Sequence, residues 1–135
     1  MTANVNGKKV SFGVQCYALK AVFRQDDGGF MYNKYTINGI DEVNGGVYFQ
    51  VIDSTSLKTS FNIEDFDNRL VYYHESGNSY PAIDATLEIT KEESDLLCGY
   101  FNMQALKEDN DTIRITDGCF ELSLETQNII IKKDR

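Results

Sequence analysis

Residues 98–125 read CGYFNMQAL-KEDND-TIRITDGCFELSLE, two alternating runs joined by an acidic five-residue turn at 107–111. In the first run Tyr100, Asn102, Gln104 and Leu106 alternate with Phe101, Met103 and Ala105. In the second, Ile113 and Ile115 share one face. A period of two is the signature of a strand with one side in a core and the other in water. The pattern predicts an antiparallel hairpin with Phe101, Met103, Ala105, Ile113 and Ile115 inward and Lys107–Asp111 exposed at its tip. Just upstream, Ala85, Leu87 and Ile89 alternate with Thr86, Glu88 and Thr90, which predicts a neighbouring strand of the same kind.

The same grammar extends to the N-terminus. Asn6-Gly7 interrupts Ala3–Phe12 and predicts a two-residue type I′ turn, whose central positions both need positive φ. Val14–Arg24 is apolar on both sides, with Val14, Cys16, Ala18 and Val22 opposed to Tyr17, Leu19 and Phe23. It reads as a strand buried on both faces or a broken pair, with a short helix as the alternative. Asp26–Gly29 is a turn, Phe30–Asn38 a strand, Asn44–Gly46 a turn, Val47–Ile52 a strand and Leu70–His74 another. Asn62–Phe66 is a helical turn or an extended stretch. Cys119–Leu124 and Gln127–Lys132 complete the series. The expectation is one all-β domain over residues 1–135, a single antiparallel β-sandwich or barrel of about eight to ten short strands.

These elements resemble, in order, a family of small all-β domains of unknown function found mainly in Bacteroidetes, usually in exported lipoproteins. The likeness rests on Asn6-Gly7, Ile89-Thr90, Gly99-Tyr100-Phe101 and Ile115-Thr116-Asp117-Gly118-Cys119-Phe120. It implies a cell-envelope protein, periplasmic or an outer-membrane lipoprotein, and brings no established catalytic residues. Met1–Val10 has neither signal-peptide organisation nor a lipidation cysteine. The resemblance therefore implies a mature segment trimmed of its export signal; otherwise the chain is cytoplasmic.

Composition narrows the function classes. A formal charge of −8, from 13 Lys and Arg against 21 Asp and Glu, disfavours nucleic acid, whose phosphates are met by clustered basic residues. Positive charge gathers only in the tail, at Lys132, Lys133 and Arg135. No stretch approaches the roughly 18 apolar residues of a transmembrane helix. Cys16, Cys98 and Cys119 show no zinc spacing and read as small buried hydrophobes, with a Cys98–Cys119 bridge left open.

No catalytic constellation emerges. His74 is the single histidine and has no cysteine at a motif spacing. Asp26/Asp27, Glu64/Asp65/Asp67, Glu92/Glu93/Asp95 and Glu108/Asp109/Asp111 are loop carboxylates, and Asp109-Asn110-Asp111 lacks the glycine and distal glutamate of a calcium loop. Gly28-Gly29 and Gly45-Gly46 are turn residues without a phosphate-binding motif. No catalytic residue, metal site or cofactor is expected. Tyr32, Tyr35, Tyr48, Tyr72, Tyr73, Tyr80 and Tyr100 could line a sugar or peptide surface, or pack over the core rim. Tyr32, Tyr35, Tyr72 and Tyr73 are the ligand-binding candidates. The expected function is a non-enzymatic binding module for an unknown protein or glycan partner, monomeric or weakly oligomeric. An acidic inhibitor or immunity-type protein is one variant of it, and a lipocalin-like carrier of a small apolar ligand the alternative.

Overall fold

Two cross-strand glycine–phenylalanine pairs hold the hairpin that the sequence marks out. The ninth and tenth strands, β9 (Leu96–Leu106) and β10 (Thr112–Ile131), run antiparallel, with Gly99 opposite Phe120 and Phe101 opposite Gly118. A Cβ at Gly118 would lie 2.5 Å from the Phe101 ring, and one at Gly99 would meet the Phe120 ring at 2.7 Å and the backbone oxygen of Glu88. Each ring thus fills the space that a missing side chain leaves on the next strand, as aromatic residues do over sheet glycines. The repeated glycine-x-phenylalanine spacing, at 99–101 and 118–120, is this reciprocal packing written along the chain.

The computed structural model describes residues 1–12, 16–40, 45–108 and 111–132, without the side chains of 67–69. The other strands are β1 (Thr2–Val5), β2 (Lys8–Ser11), β3 (Tyr17–Gln25), β4 (Phe30–Asn38), β5 (Gly46–Asp53), β6 (Ser60–Asn62), β7 (Phe66–Glu75) and β8 (Asn78–Glu92). A 3-10 turn, Ile63–Asp65, lies between β6 and β7. Among the described residues there is no α-helix, and the apolar run into Arg24 is a strand. Asn6 and Gly7 have φ of 50° and 85°, the positive pair that a type I′ hairpin requires. Val14, Asn44, Asp109 and Asn110 lie outside the described residues.

The sheet closes into a ring. Strands β3, β4, β5, β7, β8, β9 and β10 pair in succession, and β10 returns to β3. Two long strands make the closure possible. β8, of 15 residues, pairs with β7 through Asn78–Pro81 and with β9 through Ala82–Glu92. β10, of 20 residues, pairs with β9 through Thr112–Ser123 and with β3 through Leu124–Ile131. The two segments expected at Cys119–Leu124 and Gln127–Lys132 are therefore one continuous strand, which leaves one wall of the ring and enters the other. A register shift between Ile115 and Gly118, with Asp117 at φ 51°, bends β10 on the way. The fold is all-β as the turn spacing predicts, and antiparallel throughout the described pairs except that β10 runs parallel to β3.

The ring is filled. Phe12, Phe49, Phe61, Phe101, Ile37, Leu87, Leu97 and Ile115 are each less than 2% exposed. Phe101, Met103, Ala105, Ile113 and Ile115 all face this interior, and Lys107, Glu108 and Asp111 are exposed at the hairpin end. Cys98 and Cys119 do not form the bridge left open by their spacing; both remain thiols. Register explains it: Cys98 stands opposite Glu121 and Cys119 opposite Tyr100. Such diagonal neighbours sit about 7–8 Å apart, outside disulfide reach.

Candidate functional site

The wall made by β3, β4, β5 and β7 carries its aromatic residues in rows. Residues directly opposite one another on paired strands project from the same face, so register alone assigns the sides. One row runs Tyr17–Asn38–Tyr48–Tyr72 and reaches Pro81 on β8. The next are Leu19–Thr36–Gln50, Ala21–Lys34–Ile52 and Phe23–Tyr32. All lie on the outside of the ring, because the alternate residues Ala18, Tyr35, Ile37, Phe49, Val51, Val71 and Tyr73 belong to the core.

This outer face is bound together by its own rings. Tyr48 and Tyr72 stack with centroids 5.1 Å apart and planes 13° from parallel, and Phe23 and Tyr32 stack at 4.5 Å and 22°. The ammonium of Lys34 sits 5.8 Å from the Phe23 centroid. Tyr17 and Ile52 are exposed, at 46% and 38%, whereas Ala21 and Thr36 in the middle of the face are buried. Partial burial raises the Tyr72 phenol above its ordinary range, helped by the neighbouring phenols of Tyr48 and Tyr17. The opposite wall follows the usual apolar-in, polar-out rule, with Thr86, Glu88, Asn102, Arg114, Glu121 and Ser123 exposed on its outside.

The four tyrosines singled out in the sequence separate two and two. Tyr32 and Tyr72 stand on the outer face. Tyr35 and Tyr73 are 5% and 2% exposed in the core and present no ring to a surface partner. Tyr35 instead donates its hydroxyl to Glu92 Oε1 at 2.5 Å, while Glu92 Oε2 accepts from Lys20 at 2.8 Å. That chain ties β3 and β4 to the end of β8. Tyr17, Phe23 and Ile52 complete the face and were missed. Their signal was parity with Tyr32 and Tyr72 across the strands, which needs the register to be read.

The buried phenols make alkaline stability a test of this arrangement. Burial, with Glu75 and Tyr80 nearby, raises Tyr73 from 10.0 to about 12. Burial, then the bond to Glu92, raises Tyr35 further still. Between pH 10 and 12 the unfolded chain releases protons that the folded chain keeps, so stability falls as pH rises. The stability linked to Tyr73 is complete below pH 10 and lost through about pH 12. Urea midpoints measured across this window should decline, and Tyr73→Phe should flatten the decline. An unchanged slope in that variant would contradict the burial of Tyr73.

Elsewhere the titratable groups serve local structure. His74 Nδ1 lies 3.2 Å from Ser79 Oγ at the end of β7. Asp27 accepts from the Gly29 amide at 2.8 Å. At Asp65 burial works to raise the pKa, but the bond from Lys58 and that from the Asn62 amide outweigh it and hold the carboxyl below its usual range. Among the described residues no three His, Cys, Asp or Glu side chains converge to hold a metal, and no helix is long and apolar enough to cross a membrane. Comparisons with protein-family models, curated proteins and solved structures find no match to this chain.

Proposed function

We propose that this protein is a non-enzymatic interaction module that docks a partner on the outer face of β3, β4, β5 and β7. The observation that carries the reading is the broken alternation of that wall: Tyr17, Leu19, Phe23, Ile52 and the Tyr48–Tyr72 stack stand where a solvated sheet face holds polar residues. Contiguous apolar surface of this kind marks interaction sites, and tyrosine is favoured in them because its rigid ring ends in a hydrogen-bonding group. The filled interior supports this reading over a lipocalin-like carrier, which requires a ligand-sized apolar cavity.

Placement in the bacterial cell envelope is part of the proposal and rests on the resemblance at Asn6-Gly7, Gly99–Phe101 and Ile115–Phe120. The acidic-inhibitor variant needs carboxylates at the docking surface to meet a basic partner. The rows on β3, β4, β5 and β7 contain none and only Glu125 of β10 flanks them, opposite Leu19, so a basic partner would be met instead by the opposite wall, where Glu88 and Glu121 are exposed. The test is capture from a lysate of the source organism on immobilised protein, with Tyr72→Lys and Glu88→Lys compared in parallel. Stoichiometric capture of one species that Tyr72→Lys abolishes and Glu88→Lys spares supports the aromatic face. Equal capture by wild type and Tyr72→Lys overturns it.

A further inference from the structure

We infer that the occupant of this face is a second copy of the same chain, joined in a two-fold, sheet-on-sheet dimer. The inference rests on the reading of the face as a docking surface and names its partner.

Size is the first argument. Four strands span about 19 Å at the usual inter-strand spacing, and nine-residue strands run about 30 Å. The face therefore offers up to about 570 Å² per copy. Two copies would bury about 1,100 Å², above the range of incidental contacts and at the small end of specific interfaces.

Charge is the second. In a two-fold interface each patch meets itself, so a face bearing several charges of one sign repels its own copy. The chain carries −8, yet on β3, β4, β5 and β7 the rows from Tyr17 to Ile52 contain no carboxylate and one cation, Lys34, already engaged with the Phe23 ring. Exposed Glu125 of β10 stands only at their margin, opposite Leu19. A neutral, aromatic and aliphatic face is complementary to itself. It offers nothing to a strongly basic or acidic protein. Packing sheet on sheet aligns such faces at about 30° and interdigitates their side chains. It leaves the polar walls with Glu88, Asn102 and Glu121 outward on both copies.

Sedimentation equilibrium of the full chain across the micromolar range tests this. A reversible monomer–dimer equilibrium is expected. Tyr17→Lys and Ile52→Lys change exposed residues and should leave the circular dichroism spectrum unaltered while weakening the dimer about 30-fold or more. Tyr100→Lys, at a 59% exposed position on the opposite wall, should leave it unchanged. Added salt should preserve or tighten the dimer, since it screens repulsion between two acidic chains and breaks no ion pair. A dimer that survives both Tyr17→Lys and Ile52→Lys, or that Tyr100→Lys or salt dissolves, overturns the inference. A wild-type chain monomeric throughout also overturns it. If Tyr72-dependent capture of a different protein accompanies that monomer, the docking face stands with another occupant. If no such capture occurs, both readings fall.

Discussion

Replacing Phe101 with Ala is expected to cost about 3–5 kcal/mol of folding stability. Phe101 is 1% exposed and its ring meets Phe49 edge-on, with centroids 5.1 Å apart. It also stands opposite Gly118, whose missing side chain is the space the ring occupies. Truncation therefore removes the apolar surface of the ring, its aromatic contact and the cover over Gly118 together. Nothing on the facing strand can collapse into the void, because the residue there has no side chain to turn inward. Urea denaturation should show the midpoint falling with an unchanged slope, the mark of a stability change without a change in the folded state. A loss below about 1 kcal/mol would contradict the burial.

Gly99→Ala is expected to be nearly as damaging, at about 3 kcal/mol, the upper end for an added methyl in a packed interior. The new Cβ would meet the Phe120 ring at 2.7 Å and the backbone oxygen of Glu88 on the neighbouring strand. A side chain can rotate away, but a ladder carbonyl yields only if β8 and β9 separate. Gly118→Ala provides the contrast, since the atoms nearest to its Cβ all belong to the Phe101 ring. Shrinking that ring should help: Phe101→Leu is expected to recover part of the loss in Gly118→Ala. Phe120→Leu should recover little in Gly99→Ala, because the backbone contact remains. A double-mutant cycle for each pair measures the difference. Equal rescue in both pairs would refute the distinction.

Local pattern was sufficient where each strand has one wet side. Along Ala85–Thr90 and Gly99–Ile115 polar residues alternate with apolar ones, so the faces of Leu87, Phe101, Met103 and Ile113 are written in the chain. Asn6-Gly7 likewise dictates its own hairpin, because its backbone preference acts within four residues. On β3, β4, β5 and β7 the same reasoning loses its purchase. Tyr32 and Tyr72 lie outward while Tyr35 and Tyr73 lie inward. A period of two states which residues share a face, and polarity chooses the wet one; with aromatic residues on both sides, polarity chooses neither.

What the sequence determined by itself was the class of object: strands of alternating residues, turns at Asn6-Gly7 and Asp26–Gly29, an acidic surface and a core rich in phenylalanine. The closure of the ring was decided by tertiary structure alone. Leu124–Ile131 pairs in parallel with Ala18–Gln25, segments about a hundred residues apart in the chain, and no local preference selects one such partner over another. That choice came from burying the apolar faces of both walls against each other. It turned Tyr35 and Tyr73 into core residues and left Tyr17, Tyr48 and Tyr72 aligned on the outside, because only a closed sheet has an inside to assign.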